Sequence, residues 1–329
     1  MARLDPERIK TVAAILLGRL GDLIMATPFL RSLRLRFPRA GIRLFTSGAC
    51  REAAGLIPFV DEALAFQGMA SIQTAAALLA NRCDLLVDLN PSFSRRSAAL
   101  SVLARSSLKL SFLRGRFDWV FDLHADPPGE KEHMLERYAR LAKALGAPYE
   151  PKTELRLKPE DEEKAEDLME RLDPKPKGLR VAIHPGNFKK FDNRWPEGKF
   201  AELTDRLLED PGLSLFYLAG PGEEEPVRAI VARLKRPVPV LPPASLGVIG
   251  ALMKRMDLCV LNITGTTHLA AALGVPTFGF YSGYTHAVWR PRGAIHAGVV
   301  SDSWESCRGI PVEEAWAALK ALSRAPKSH

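Results

Sequence analysis

Two short glycine-bearing turns, one at the head of each half, constrain this chain more than any other feature. The first is Gly18-Arg19-Leu20-Gly21-Asp22, directly behind the apolar run Val12-Ala13-Ala14-Ile15-Leu16-Leu17. The second is His184-Pro185-Gly186-Asn187, behind Leu179-Arg180-Val181-Ala182-Ile183, with Arg194-Trp195-Pro196 close after it. A strand, a tight turn and a helix in succession present backbone N–H groups to an anion, because the first turn of a helix leaves its amides without intrahelical partners. One such turn per half predicts an α/β chain of two Rossmann-like domains with parallel sheets, facing an interdomain cleft. That architecture suits transfer of a group between two bound molecules.

The pattern along the chain agrees. In the first half, strands are expected at Val12–Leu17, Ile42–Thr46, Leu85–Leu89 and Leu108–Leu113. Helices are expected at Leu23–Phe37, near Cys50–Ile57, and at Ser71–Asn81, Arg95–Ala104 and His133–Leu145, the last ending at Gly146. The prolines Pro148 and Pro151, the charged stretch Lys158–Glu170 and the run Asp173-Pro174-Lys175-Pro176-Lys177-Gly178 read as the boundary, which divides the chain into residues 1–155 and 156–329. The second half repeats the alternation, with strands at Leu179–His184, Leu213–Leu218, Val238–Leu241, Leu258–Leu261 and Thr277–Tyr281. Its helices are expected at Gly198–Leu208, Glu224–Leu234, Leu246–Lys254 and Thr267–Leu273. Glu313–Ser323 is a last helix, for which packing back on the first domain is left open.

Charge points to an anionic partner of the first half. Between Arg19 and Arg116, 14 Lys and Arg stand against 6 Asp and Glu, so this stretch carries the whole formal charge of +8. A phosphorylated acceptor or a lipid headgroup surface fits such a field, with an ordinary solvated face as the alternative. Nucleic acid does not fit, because no binding motif or aromatic-interleaved basic stripe accompanies the charge. No apolar run approaches the roughly 20 residues that span a bilayer, and Thr11–Leu17 reads as a buried strand rather than a signal sequence. Cys50, Cys83, Cys259 and Cys307 lie far apart and read as reduced thiols of a cytoplasmic protein. No Asp-x-Asp pair or His/carboxylate cluster suits a divalent ion, so neither a metal nor a separate cofactor is expected.

The ordered motifs resemble those of glycosyltransferase family 9, the ADP-heptose:lipopolysaccharide heptosyltransferases. Gly18-Arg19-Leu20-Gly21-Asp22 with Thr27-Pro28 is similar to that family's opening signature, and His133-Met134-Leu135-Glu136-Arg137 running to Leu145-Gly146 to its helix before the linker. His184-Pro185-Gly186, Arg194-Trp195-Pro196 and Phe200-Ala201-Glu202-Leu203 resemble the start of its second domain. Thr264-Gly265 with His268-Leu269-Ala270-Ala271-Ala272-Leu273-Gly274 resembles its donor turn, and Trp289-Arg290-Pro291 its closing segment. The resemblance spans nearly the whole chain. It implies a GT-B fold and inverting transfer of a heptose or related sugar from a nucleotide diphosphate donor, with ADP the expected nucleotide, to an anionic glycolipid acceptor of the lipopolysaccharide core. It also implies a peripheral position on the cytoplasmic face of the inner membrane.

Sugar transfer with inversion needs a base for the acceptor hydroxyl and positive charge or N–H groups for the departing diphosphate. Read by itself, Asp22 is either a helix-start carboxylate satisfying backbone N–H groups or a base facing the cleft; the resemblance makes it the expected base. Arg194, Lys189 and Lys190 are the candidates for the diphosphate, beside the backbone of Gly186. The Lys that the family carries two positions before the Trp is here Asn193, which leaves Lys190 as its replacement. Gly220, with Pro221, is expected to border the nucleotide, and Thr264, Gly265, Thr266 and Thr267 to cradle phosphate at a helix start. His268 reads either as a phosphate or ribose contact or as a residue holding that turn, and His184 as a satisfied strand-end histidine. Trp195 reads as packing beneath the loop. Arg19, Arg95, Arg96, Arg114 and Arg116 are the expected contacts to the acceptor's anionic groups. One departure stands out: the family's acidic residue before the Thr-Gly, expected on donor-sugar hydroxyls, is here Ile263, with Asn262 next to it and pointing elsewhere. A different donor sugar is one consequence; a silent nucleotide-sugar binder or an assembly protein of the same fold is another, and a sugar-nucleotide epimerase shares the architecture.

Overall fold

Strands alternate with helices through both halves of the chain, and each half closes on its own parallel sheet. A computed structural model describes residues 5–68, 70–174, 178–186 and 194–324. Its contacts divide into two compact units, residues 1–156 and 157–329.

The first unit runs β1 (Thr11–Leu16), α1 (Leu20–Arg36), β2 (Gly41–Ser47), α2 (Arg51–Ala54), β3 (Glu62–Phe66), α3 (Ala70–Ala80), β4 (Cys83–Asp88), α4 (Arg95–Leu103), β5 (Ser106–Phe112), β6 (Leu123–Ala125) and α5 (Met134–Leu145). The strands pair in parallel in the order β3-β2-β1-β4-β5-β6. β1 is buried along nearly its whole length, as its unbroken apolar run requires of a central strand covered on both faces. Helix α1 contains Pro28, which has no N–H to give to the Ile24 carbonyl one turn earlier. The Thr27 hydroxyl donates to that carbonyl at 2.7 Å instead, so the helix continues. Gly146, at φ 60°, ends α5 in the left-handed conformation that glycine adopts without cost.

The second unit runs α6 (Pro159–Leu172), β7 (Leu179–His184), α7 (Glu197–Leu207), β8 (Leu213–Tyr217), α8 (Glu224–Val231), α9 (Leu246–Lys254), β9 (Leu258–Asn262), α10 (Gly265–Ala272), β10 (Thr277–Tyr281), α11 (Gly283–Trp289), β11 (His296–Val300) and α12 (Val312–Arg324). Its sheet is also parallel, in the order β11-β10-β9-β7-β8. The core centres on Trp195, whose ring stacks on Phe280 at 4.0 Å and meets Phe200 edge-on at 5.0 Å. The Trp195 indole N–H donates to the Ile310 carbonyl at 3.0 Å, so this large ring is buried with its polar atom satisfied. Val312, Ala315 and Leu319 of α12 join the same core, so the last helix packs within this unit.

Several elements differ from the sequence expectation. The stretch read as a charged boundary is helix α6, which Pro159 opens at its first turn and Glu160, Asp161 and Glu162 support at the positive end of its dipole. The expected strand Val238–Leu241 reduces to a single bridge between Tyr217 and Val240. Prolines at 237, 239, 242 and 243 remove the donors a longer ladder would need. The helix expected near Cys50–Ile57 shortens to α2, and β3, β6, α11 and β11 are additional elements.

Candidate active site

Each sheet has one place where the chain reverses its direction of growth. In the first unit the chain moves outward from β1 through β2 to β3, then returns to the other side of β1 with β4. In the second it passes from β7 to β8, then returns beside β7 with β9. Loops leaving the carboxyl ends of strands part at such switch points, which is where open α/β sheets bind ligands. The glycine turns singled out in the sequence follow β1 and β7, so both sit at a switch point.

In the first unit, Asp22 lies in the first turn of α1, and its carboxylate accepts the Arg19 backbone N–H at 2.8 Å. Gly18 makes room for this. A Cβ at that position would stand 2.8 Å from the Asp22 Cβ and 2.9 Å from its Oδ2. The Gly18 carbonyl is held by the Ser47 hydroxyl at 2.8 Å and the Cys50 thiol at 3.5 Å. Tyr138, fully buried on α5, donates to the Asp22 carbonyl at 3.4 Å. Burial and then the Asp22 charge push the Tyr138 hydroxyl well above its ordinary value, so it is a neutral donor at any physiological pH.

A polar network that the sequence reading missed anchors this edge. Asp88, fully buried at the end of β4, accepts from the Asn90 side chain at 2.6 Å and backbone at 3.1 Å, from the Ser97 hydroxyl, and from Arg114 at 2.8 Å. Asn90 reaches β1 by accepting the Leu17 N–H at 3.1 Å and donating to the Ile15 carbonyl at 3.3 Å. Arg114 also donates to the Ser111 hydroxyl and to the Ser92 and Phe112 carbonyls. The signal for it was a carboxylate closing the apolar run Leu85-Leu86-Val87, since a buried strand end keeps an acid only with donors around it. The Arg114 guanidinium is thus engaged in this buried network, where the sequence had suggested an acceptor contact. Arg19, Arg95, Arg96 and Arg116 have exposed side chains, and Arg95 and Arg96 open α4 at the carboxyl edge of the sheet.

In the second unit, His184 ends β7 and its Nε2 lies 3.0 Å from the Glu223 carboxylate, which also accepts the Gly220 N–H at 3.0 Å. A Cβ on Gly186 would fall 2.3 Å from the His184 ring, and one on Gly220 would fall 2.7 Å from Glu223 Oε2. The His184–Glu223 pair thus binds the turn after β7 to the turn after β8 and needs glycine on both sides. Glu223 was not anticipated.

Asn262, fully buried at the end of β9, accepts the Trp195 N–H at 2.9 Å and donates toward the Pro185 carbonyl at 3.0 Å. Its side chain does turn away from the Thr264 loop, toward the two segments that flank residues 187–193. In that loop, the Thr264 hydroxyl accepts the Thr266 N–H at 3.2 Å. The Thr267 hydroxyl accepts the Thr264 N–H at 3.3 Å and donates to the Asn262 carbonyl at 2.8 Å. Both hydroxyls build the cap of α10. Gly265 and Thr266 are half-buried there, His268 is buried with its ring 5.9 Å from Trp289, and Ile263 is half-buried directly before the cap. Arg194 is paired with Glu197 at 3.2 Å. Lys189, Lys190 and Asn193 lie outside the described residues. Among the described residues, no cluster of three or more His, Cys, Asp or Glu is placed to hold a metal ion, and no helix is long and apolar enough to cross a membrane.

Residues 72–313 match the profile of glycosyltransferase family 9 (heptosyltransferase). The chain belongs to this family. It is 22% identical over 288 residues to the lipopolysaccharide core heptosyltransferase OpsX of Haemophilus influenzae, covering 84% of this chain and 80% of that one. Among solved structures, a glycosyl transferase family 9 protein of Veillonella parvula matches with a TM-score of 0.83 at 19% identity, covering 95% of this chain and 97% of the other. The ADP-heptose lps heptosyltransferase II of E. coli matches with a TM-score of 0.79 at 21% identity, covering 95% and 98%. The E. coli heptosyltransferase WaaC, solved with ADP-2-deoxy-2-fluoro heptose, matches with a TM-score of 0.71 at 20% identity, covering 95% and 99%. The fold is accordingly of GT-B type, and the chain is a glycosyltransferase.

Proposed function

We propose that this chain transfers a heptose or related sugar, with inversion at the anomeric carbon, from an ADP-linked donor to a lipopolysaccharide core acceptor at the cytoplasmic face of the inner membrane. The observation that carries the reading is the position of Asp22: a carboxylate held over Gly18 at the switch point of a parallel sheet. The names of the relatives support the donor and acceptor classes.

In this reading Asp22 takes the proton from an acceptor hydroxyl as that oxygen attacks the anomeric carbon from the face opposite the diphosphate. The carbon–oxygen bond to the diphosphate breaks, and ADP leaves with the electron pair. Arg194 and the N–H groups at the start of α10 stabilise the charge gathering on the leaving phosphates. The hydrogen bond from the Arg19 N–H fixes the Asp22 carboxylate in place over Gly18. Ile263 offers no hydrogen bond, so the donor sugar presents an apolar edge or a deoxy position there.

The test is turnover with ADP-, UDP- and GDP-linked sugars, with the product's anomeric configuration read by NMR. ADP-sugar turnover with inversion is expected, falling by roughly 1,000-fold in Asp22→Asn with ADP affinity unchanged. Turnover undiminished in Asp22→Asn, a retained configuration, or preference for UDP or GDP would each overturn the proposal. Ile263→Asp is expected to shift preference toward more hydroxylated donors.

A further inference from the structure

The loops that leave β4 and β5 on the carboxyl edge of the first sheet carry an aromatic cluster unlike the rest of the surface. Trp119 is 78% exposed and Phe117 is 43% exposed. Phe117 stacks on Phe93 at 5.9 Å, and Trp119 lies against Phe117 at 6.3 Å. Soluble surfaces scatter single apolar residues, but three adjoining aromatic rings form a patch that water disfavours.

The cluster is built. Phe117 is the one non-glycine residue with positive φ among the described residues, at 59°, a conformation that strains a bulky side chain. The Asp118 carboxylate fixes that turn by accepting the Arg114 N–H at 3.1 Å and the Gly115 N–H at 2.8 Å. Below it, Arg114 joins the turn to the Ser92 carbonyl of the neighbouring loop and to Asp88. A well-anchored turn therefore holds Phe117 outward at a conformational cost. Arginines lie in the same loops. The Arg116 guanidinium lies 5.9 Å from the Phe93 ring, and Arg95 and Arg96 are exposed at the start of α4, two and three residues beyond Phe93.

Aromatic rings that shun water, with exposed arginines beside them, match the boundary of an anionic bilayer. Trp and Phe settle there among headgroups and upper acyl chains, while the guanidinium groups meet lipid phosphates. We infer that Phe93, Phe117 and Trp119, with Arg95, Arg96 and Arg116, form a lip that inserts at the interface of an anionic phospholipid bilayer. The lip shares the sheet edge that carries Asp22. Resting on the proposed function, this gives the lip its use: it keeps the base of the first unit at the depth of a glycolipid's headgroup, so that the acceptor need not leave the membrane.

The experiment is flotation of the full chain with vesicles of phosphatidylethanolamine and phosphatidylglycerol, against neutral phosphatidylcholine vesicles. The wild type is expected to bind the anionic vesicles and to lose about fivefold per arginine contact on neutral ones. The double variant Phe117→Asn/Trp119→Ser is expected to weaken vesicle binding by about tenfold or more, with an unchanged circular dichroism melt and unchanged ADP affinity. Quenching of tryptophan fluorescence by brominated phosphatidylglycerol is expected in the wild type and to be lost in Trp119→Phe. Transfer to a deacylated, water-soluble acceptor should be untouched in the double variant, whereas transfer to a vesicle-borne acceptor should fall.

Five results would overturn the lip. The double variant could float like the wild type, wild-type binding could ignore bilayer charge, or Trp119 could stay unquenched. A wild-type dimer that dissociates in the double variant, with vesicle binding intact, would make the patch a self-interface instead. Loss of transfer to the soluble acceptor alone would make it an acceptor subsite and would leave the transfer reading standing. Failure of the Asp22→Asn test would remove the transfer reading without touching vesicle binding.

Discussion

Replacing Arg114 by methionine separates the two roles open to this arginine, because its pairing with Asp88 sets the size of the effect. The two side chains are 6% and 0% exposed, and their charged atoms meet at 2.8 Å. Without the guanidinium, the Asp88 carboxylate keeps the Asn90 and Ser97 donors but loses the charge that offsets its burial. Breaking a buried pair from one side costs about 3–5 kcal/mol. Asp88→Asn should cost a comparable amount, because it strands Arg114. Removing both charges, in Asp88→Asn/Arg114→Met, should cost roughly 1–2 kcal/mol, far less than the sum of the singles. The assay is amide hydrogen exchange read on peptides that span β4 and β5. A penalty of about 3 kcal/mol raises exchange there by roughly a hundredfold, where opening is what limits it. The double variant also tests recognition, since its acceptor KM should stay within about threefold of wild type if Arg114 only braces the edge. A cost below about 1 kcal/mol for Arg114→Met, or additive singles, would refute the reasoning.

Other sites give sharper local tests. Gly18→Ala would push a methyl to 2.8 Å from the Asp22 Cβ, so kcat should fall by about 100-fold with the thermal melt shifted by only a few degrees; unchanged kcat would show that the carboxylate position does not matter. Asn262→Leu removes the acceptor of the Trp195 N–H and the donor to the Pro185 carbonyl, both buried, and should destabilise the second unit by about 2–4 kcal/mol in urea titrations while weakening ADP binding. Burial lowers the His296 imidazole from its ordinary 6.5 to about 4, so the fold favours the neutral ring. Its contribution is complete above about pH 6.5 and is lost as pH falls toward about 4, a change of roughly 1–3 kcal/mol after allowance for the ring's exposed part. His296→Asn should flatten the acid limb of unfolding free energy by that amount, and equal slopes would rule the linkage out.

The architecture was legible wherever apolar runs and glycine turns coincide. β1, β4, β7, β9 and β10 follow runs that stay apolar because central parallel strands are covered on both faces. β3 and β6 were missed for the converse reason. Each is an edge strand with a partner on one side only; the first two residues of β3 are exposed and β6 is only three residues long. Helix α6 was read as a boundary because its charges are dense, yet those acids sit in its first turn, where the helix dipole favours them. Among the candidate residues, Asp22 and the Thr264 turn were picked out by the glycine turns and by the family resemblance. Glu223 and Asn90 could not be, because their partners lie 39 and 73 residues away in sequence, and Asp88 showed only as a carboxylate closing an apolar run, with its Arg114 partner 26 residues on.

Those distant partners explain why polar residues gather at the carboxyl edges without all serving chemistry. A switch point parts two loops and so leaves strand-end N–H and C=O groups that no sheet neighbour can satisfy. Asn90 meets this need in the first unit by joining the ends of β1 and β4, and Asn262 meets it in the second by joining the end of β9 to Pro185 and Trp195. Thr267 ties the α10 cap back to Asn262 in the same way. An asparagine suits this work because its side chain offers a donor and an acceptor together without a charge to neutralise. The braces at each edge keep the glycine turns in place, and the turns in turn leave room for Asp22 in one unit and for the His184–Glu223 pair in the other. A substitution at Asn90 or Asn262 should therefore weaken both stability and ligand binding, whereas one at Asp22 should leave the fold intact and remove the reaction.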